Sequence, residues 1–286
     1  THEDMMKFLD EQLKKLDTPY VDFYILHAMN NERMDAMQKL DYKRFYAEAI
    51  AQGKVRYPGF SFHDDAKAFL RILHDWDQWG MCQVQMNILD DENQATLEGI
   101  REAGRRGVGV VVMEPLRGGL LANPPVDVKA VYDAYAVQRS PVEWGFRYLY
   151  AMPEVITILS GMSTWAQVTD NLRIFDMTKR PTLTDEELAL YQKVKATYLA
   201  RTKTRCTGCK YCQPCPMGVQ IPRIFQGYDA AMLRADSSFK AGYAQIQADH
   251  ADASQCIHCR KCERACPQHL PITRFLQEIH TASTAE

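Results

Sequence analysis

The chain has 286 residues, 46% of them hydrophobic, and a formal net charge of -2, enough apolar material for one large domain or two modest ones. That balance excludes the basic footprint of a nucleic-acid binder and the polybasic face of a membrane-surface protein. No apolar run approaches bilayer length and no charged-then-apolar leader opens the sequence, so a soluble, cytoplasmic protein is expected, with neither nucleic acid nor membrane as partner.

Residues 4–17, "DMMKFLDEQLKKLD", carry Met5, Phe8, Leu9, Leu13 and Leu16 at helical spacing, and Thr18-Pro19 ends the helix. Val21–His27, "VDFYILH", is a β-branched and aromatic run of strand length. The alternation then repeats. "RFYAEAIAQGK" predicts a helix, "VRYPGFSF" a strand and "DDAKAFLRILHDW" a helix. "CQVQMNIL" predicts a strand, "NQATLEGIREAGRRG" a helix, and "VGVVVMEPL" a fully buried strand. "SPVEWGFRYLYAM" is a helix with Ser140 as its N-cap and Pro141 at its first position. "VITILSGM" and "TWAQVTDNLRIF" complete the series as strand and helix. Five strands each followed by a helix imply an α/β fold with a parallel sheet. A doubly wound sheet and a (β/α)8 barrel look alike at this level. No Gly-x-Gly-x-x-Gly follows any strand, which lowers the dinucleotide-binding option.

Eight of the nine cysteines lie between Cys206 and Cys266, and Cys82 stands apart. Disulfides would suit a small secreted domain, and no secretion signal is present. The first run reads Cys206-x2-Cys209-x2-Cys212-x2-Cys215-Pro216, the second Cys256-x2-Cys259-x2-Cys262-x3-Cys266-Pro267. Structural zinc usually takes pairs of ligands from two knuckles. Three thiolates in one tight loop instead suit three corners of an iron–sulfur cube, with the fourth from a distant Cys-Pro that in two-cluster ferredoxins serves the other cluster. The spacing therefore predicts two [4Fe–4S] clusters: Cys206, Cys209, Cys212 and Cys266 for one, and Cys256, Cys259, Cys262 and Cys215 for the other. The first run has x2 rather than the usual x3 before Cys215. Arg205, Lys210, Arg260, Lys261 and Arg264 could offset cluster charge or simply form a solvated basic face. The stretch from Ile221 to Asp249 predicts a helical connection, with Ile224, Tyr228 and Met232 on one stripe, and "PITRFLQEI" a short helix after it. Helix-linked cluster loops resemble the α-helical ferredoxins of multi-subunit reductases.

The segments "LKKLDTPYVDFYILH", "GKVRYPGFSFH", "CQVQMNILD", "GVGVVVMEPLRGGLL", "SPVEWGFRYLYAMPEV" and "LSGMSTWAQVTDNL" resemble the aldo/keto reductase family in order and spacing. "MEPLRGGLL" followed by "CTGCKYC" resembles the subgroup whose barrel carries a C-terminal dicluster ferredoxin module. The resemblance implies a partial (β/α)8 TIM barrel over residues 1–178, a connecting helix over 179–204 and a mainly α-helical bis-[4Fe–4S] domain over 205–286. Val21–His27 would be the fourth barrel strand, with three more before Thr1, so the chain as given is expected to be incomplete for catalysis. His27 matches the histidine of the family's Asp/Tyr/Lys/His set, which orients and polarises a carbonyl. The residue-level alternative is a histidine capping a buried strand and bonded to backbone. Ser61 and Gln83 match residues that hold a nicotinamide amide. The loop from Leu116 through Gly118 and Gly119 to Leu121 matches a backbone wrap around a pyrophosphate, or else a tight βα turn. Gly161, Met162, Gln167 and Asn171 match the pocket for the adenosine end of NAD(P). Two positions depart from the pattern: Met113 replaces a stacking tyrosine, and Gly161 and Gln167 replace the lysine and arginine that grip a 2′-phosphate. The resemblance implies an oxidoreductase acting on a carbonyl-type small molecule, with a redox partner protein for the clusters. The rival expectation is a non-catalytic electron carrier or scaffold with a degenerate barrel.

Overall fold

Five parallel strands pair in sequence order: β1 (Val21–Met29), β2 (Val55–Phe62), β3 (Met81–Gln85), β4 (Gly109–Met113) and β5 (Val155–Ile158). The computed structural model describes residues 1–176, 179–206, 208–266 and 268–284. The expected boundary at 178, Pro267 of the second Cys-Pro and the expected domain end at 286 lie outside the described residues. Contacts divide the chain into two units, Thr1–Ala122 with Arg139–Leu188, and Asn123–Gln138 with Ala189–Glu286.

In the first unit, α1 (His2–Leu16) precedes the strands, α2 (Asn31–Lys39), α3 (Tyr42–Ala51), α4 (Ala66–Asp75), α5 (Thr96–Arg105) and α7 (Pro141–Tyr150) lie between successive strands, and α8 (Trp165–Phe175) follows the last. Parallel neighbours need such crossovers. The helix-side residues of the sheet are Leu26, Phe60, Phe62, Cys82, Val84, Val110 and Val112, all buried. Phe69 of α4 meets Phe60 and Phe62 with ring centroids 5.9 and 5.2 Å away. Each such fully buried side chain contributes about 1.5–3 kcal/mol. The other face is open. Phe23 pairs in register with Tyr57, their rings 5.3 Å apart, and they are 43% and 52% exposed; Ile156 is 49% exposed.

The expected helix starts hold where side chains cap them. Ser140 accepts from the Glu143 amide with Pro141 in the first turn, and Thr164 caps α8. Several elements depart from the sequence reading, among them β5, which stops at Ile158 rather than running on to Met162. Helix α2 is polar and buries only Met34, but Asn30 caps it by accepting from the Arg33 amide at 2.8 Å. Strand β3 ends at Gln85, because Asn87 Oδ1 turns the chain by accepting from the Leu89 and Asp90 amides at 2.9 and 3.1 Å.

The second unit is helical: α6 (Val126–Asp133), the larger part of α9 (Asp185–Arg201), α10 (Ile221–Arg234), α11 (Ser238–Ala248), α12 (Lys261–Ala265) and α13 (Ile272–Thr284). Ile224, Phe225, Tyr243, Ile246, Leu276 and Ile279 form its core. The expected connection over 221–249 is two helices rather than one, broken where Ala235 turns left-handed at φ 55°.

Candidate functional site

The candidate residues of the sheet unit lie toward the C-terminal ends of the strands. Ala28 has φ 51° and breaks the register between Leu26 and Met29, and its amide donates to Ser61 Oγ at 2.7 Å. Ser61 is buried and pairs in register with Gln83; Gln83 Nε2 reaches Met113 Sδ at 3.6 Å. The sequence reading ended β1 at His27, but the strand runs on to Met29 through this irregularity. The His27 side chain is exposed, and its carbonyl, not its ring, accepts from Arg33 Nη1 at 3.1 Å.

After β4, Arg117, Gly118 and Gly119 take φ values of 48°, 60° and 90°. This left-handed run closes the Leu116–Leu121 loop, with the Gly119 and Leu121 amides both donating to the Leu116 carbonyl at 3.0 and 3.1 Å. A network that sequence reasoning missed backs the loop. The buried Asp90 carboxylate accepts from Gln85 Nε2 at 3.0 Å and Asn87 Nδ2 at 2.9 Å, and Arg117 Nε lies 3.5 Å from it. The signal for it was the Asn-x-x-Asp turn chemistry in "NILD".

In the helical unit the two cysteine loops share one backbone pattern. Two and four residues after the leading cysteine the chain is left-handed: Gly208 and Lys210 at φ 73° and 66°, then His258 and Arg260 at 53° and 57°. Such alternation turns successive backbone amides inward and makes the nests that hold anions and iron–sulfur centres. A left-handed residue other than glycine costs about 1–3 kcal/mol and marks ligand clamps. The Gly208 amide donates to Cys206 Sγ at 3.4 Å.

Cys206, Cys209, Cys212 and Cys266 line one concavity. Cys215, Cys256, Cys259 and Cys262 line a second, which Cys212 also borders. Burial pushes the Cys206 thiol up against the pull of the Gly208 amide, and the thiols of Cys209 and Cys266 add to the rise. Cys212 is pushed to about 11 by burial and then by Cys206, Cys209 and Cys266. Cys262 is likewise pushed to about 11, by burial first and then by Glu263 and Cys256. Mutual repulsion of this kind is what bound metal relieves. Among the described residues no three ligand-type side chains converge as they would around one ion, whereas a four-iron cube takes its thiolates at separate corners. Cys82 stands apart on β3, where burial lifts its thiol to about 12.

Asp229 on α10 aims the first loop. This buried carboxylate accepts from the backbone amides of Lys203, Thr204 and Arg205 at 2.8, 3.1 and 2.7 Å, and from the Thr204 hydroxyl at 2.8 Å. Thr204 Oγ1 in turn accepts from the Cys206 amide at 3.2 Å.

The aldo/keto reductase family model matches residues 1–196. The chain belongs to the aldo/keto reductase family. A 4Fe-4S dicluster domain model matches residues 205–270, so an iron–sulfur module follows the reductase domain. Among solved structures, the holo form of the aldo-keto reductase AKR11C1 from Bacillus halodurans is 25% identical, with a TM-score of 0.57 over 68% of this chain and 65% of that one. Its apo form gives a TM-score of 0.55 at 25% identity, covering 68% of each chain. The thermostable aldo-keto reductase Tm1743 with the inhibitor epalrestat is 25% identical, with a TM-score of 0.53 over 68% of this chain and 66% of that one. The chain thus spans about 65% of the length of the first of these relatives. No curated protein matches the chain in sequence. No helix among the described residues is long and apolar enough to cross a membrane.

At the end of this aldo/keto reductase sheet, Gln167 serves its own helix. Its Oε1 accepts from the Ser163 and Thr164 amides at 2.8 and 3.1 Å as part of the α8 capping box. Asn171 Nδ2 donates to Ser160 Oγ at 2.9 Å, Met162 is exposed, and Gly161 has open space where a side chain would stand. Gly161, Met162, Gln167 and Asn171 therefore offer hydrogen bonds but no positive charge.

Proposed function

We propose an oxidoreductase in which an aldo/keto reductase barrel acts on a small carbonyl-type substrate and a bis-[4Fe–4S] module exchanges electrons with a partner protein in the cytoplasm. The supporting observation is the repeated left-handed pattern of the two cysteine loops, whose thiols line two concavities that each draw on both runs, in a chain that also matches the reductase family. Cys206, Cys209, Cys212 and Cys266 hold the first centre in this reading, and Cys256, Cys259, Cys262 and Cys215 the second. When bound, each centre supplies one-electron transfer. The Gly208 amide steadies a thiolate, and Asp229 holds the approach to Cys206.

On the barrel side His27 orients and polarises the carbonyl, and Ser61 and Gln83 receive a nicotinamide amide. The Leu116–Leu121 backbone faces a pyrophosphate, and Gly161, Met162, Gln167 and Asn171 the adenosine end. A 2′-phosphate meets no cation among those four residues, so NAD suits the site better than NADP. Hydride transfer moves two electrons together, whereas each centre, when bound, would take one at a time, so electron traffic between a nicotinamide and the centres would need an intermediary that splits the pair. The five strands are read as the last five of an eight-strand barrel. In a closed barrel Phe23, Tyr57 and Ile156 fill the interior, as layered side chains do, and the remaining members of the catalytic set come from the other strands.

The test is steady-state kinetics with aldehydes and ketones on protein extended to the closed barrel. His27→Ala should lower carbonyl turnover by about a hundredfold or more, as loss of a positioned polarising group does. Reduction of a viologen-type dye through the centres should persist. Equal carbonyl turnover by the two proteins would favour the carrier or scaffold reading.

A further inference from the structure

We propose that the exposed rim of the second cysteine loop is a docking patch for a small acidic one-electron carrier protein. This rests on the electron-transfer reading above and adds to it the partner and its place of contact. Tyr211, Met217, Ile257, Cys259, Arg260 and Lys261 line one concavity. Tyr211 is 68% exposed and Ile257 60%, unusual for large apolar side chains beside a buried core. Tyr, Met and Arg are the types enriched at the centres of protein interfaces. Cys259 is itself exposed, so the proposed ligand set reaches the surface here rather than through protein.

Charge names the partner. Residues 188–228 contain lysines and arginines but no Asp or Glu, in a chain whose net charge is -2. Across 253–277 the only acid is Glu263, while Arg260, Lys261, Arg264 and Arg274 are basic. The Glu263 carboxylate is turned to the start of α13, where it accepts from the Thr273 amide at 2.9 Å and the Thr273 hydroxyl at 2.7 Å. Arg260 Nε stays 3.9 Å from it. Part of this positive charge balances thiolates. The exposed Arg260 and Lys261 of the second loop bring it to the rim of that apolar depression. A positive rim around an apolar centre fits a negative surface with a matching apolar spot, and it speeds encounter with such a surface. Anionic lipid or nucleic acid would match the charge but not the Tyr211, Met217 and Ile257 centre. In the exchange one electron passes between the second centre and the partner's centre. One is oxidised as the other is reduced, and no bond or proton moves.

The experiment uses cluster-loaded full chain, with iron measured on every sample. The probe is an acidic plant-type [2Fe–2S] ferredoxin, titrated calorimetrically at low and physiological salt. A basic cytochrome c and vesicles containing anionic lipid are the comparisons. Wild type should bind the ferredoxin more tightly than either comparison, and the affinity should fall as salt rises. Lys261→Glu should weaken binding several-fold at unchanged iron content, and Lys261→Gln by less. If the Glu variant loses iron, the Gln variant at full iron decides. Unchanged affinity in an iron-replete variant, or equal binding to the cytochrome or the vesicles, overturns the patch. Wild-type protein that never takes up iron and sulfide overturns the electron-transfer reading itself, a separate readout.

Discussion

Cys215→Ser should remove the second iron–sulfur centre and leave the first, although Cys215 belongs to the first cysteine run. Iron should fall from about eight to about four per chain. Cys266→Ser should do the converse, sparing Cys256, Cys259 and Cys262 in its own run. The reason is spatial. Cys266 shares a concavity with Cys206, Cys209 and Cys212 and sits near enough to Cys206 and Cys212 to raise their thiols. Cys215 shares the other with Cys256, Cys259 and Cys262. Low-temperature paramagnetic resonance of the reduced variants separates the two centres. If Cys215→Ser lost the centre held by Cys206, each run would hold its own cluster and the crossed assignment would be wrong. Cys82→Ser should leave iron unchanged, since its thiol is buried on β3 within the parallel sheet.

Asp229→Ala should be the most damaging change outside the cysteines. The carboxylate satisfies three backbone amides and a hydroxyl in a place where water does not reach freely. A buried donor left without a partner costs about 1–3 kcal/mol, so three of them amount to about 3 kcal/mol or more. The loss falls on the segment that delivers Cys206. Two effects should appear together: a lower denaturant midpoint for the helical unit, and faster release of iron from the first centre to a chelator. Asp229→Asn keeps one carbonyl oxygen and should fall between. Wild-type iron release from Asp229→Ala would mean that the first loop holds its shape without this anchor.

The sequence made the proposed ligands legible but not what aims them. Three-residue spacing announces a cluster loop because the chemistry needs thiolates from one tight turn. Asp229 lies 23 residues beyond Cys206 in the middle of a helix, where an aspartate reads as a solvated surface residue. Its role exists only because α10 packs beneath the loop. His258 and Arg260 carry no local sign of left-handed backbone; only the likeness to Gly208 and Lys210 two and four residues into the other loop reveals the repeat. On the reductase side, alternation of period and the Ser140-Pro141 cap gave the strand and helix order. Met86, Ile88 and Leu89 extend the strand pattern past Gln85, and the Asn87 side chain among them overrides it. The break at Ala235 lacks Gly or Pro and follows from packing of α10 and α11 on one core. Gln167 could be aligned with a phosphate-binding position, but its use as a helix cap was visible only once Ser163 and Thr164 were placed.

The central claim is that this aldo/keto reductase carries two four-iron centres on eight of its nine cysteines. Iron, zinc and acid-labile sulfide measured together on anaerobically purified chain test it most directly. The account predicts about eight irons and about eight sulfides per chain with no stoichiometric zinc. Stoichiometric zinc without sulfide would contradict it.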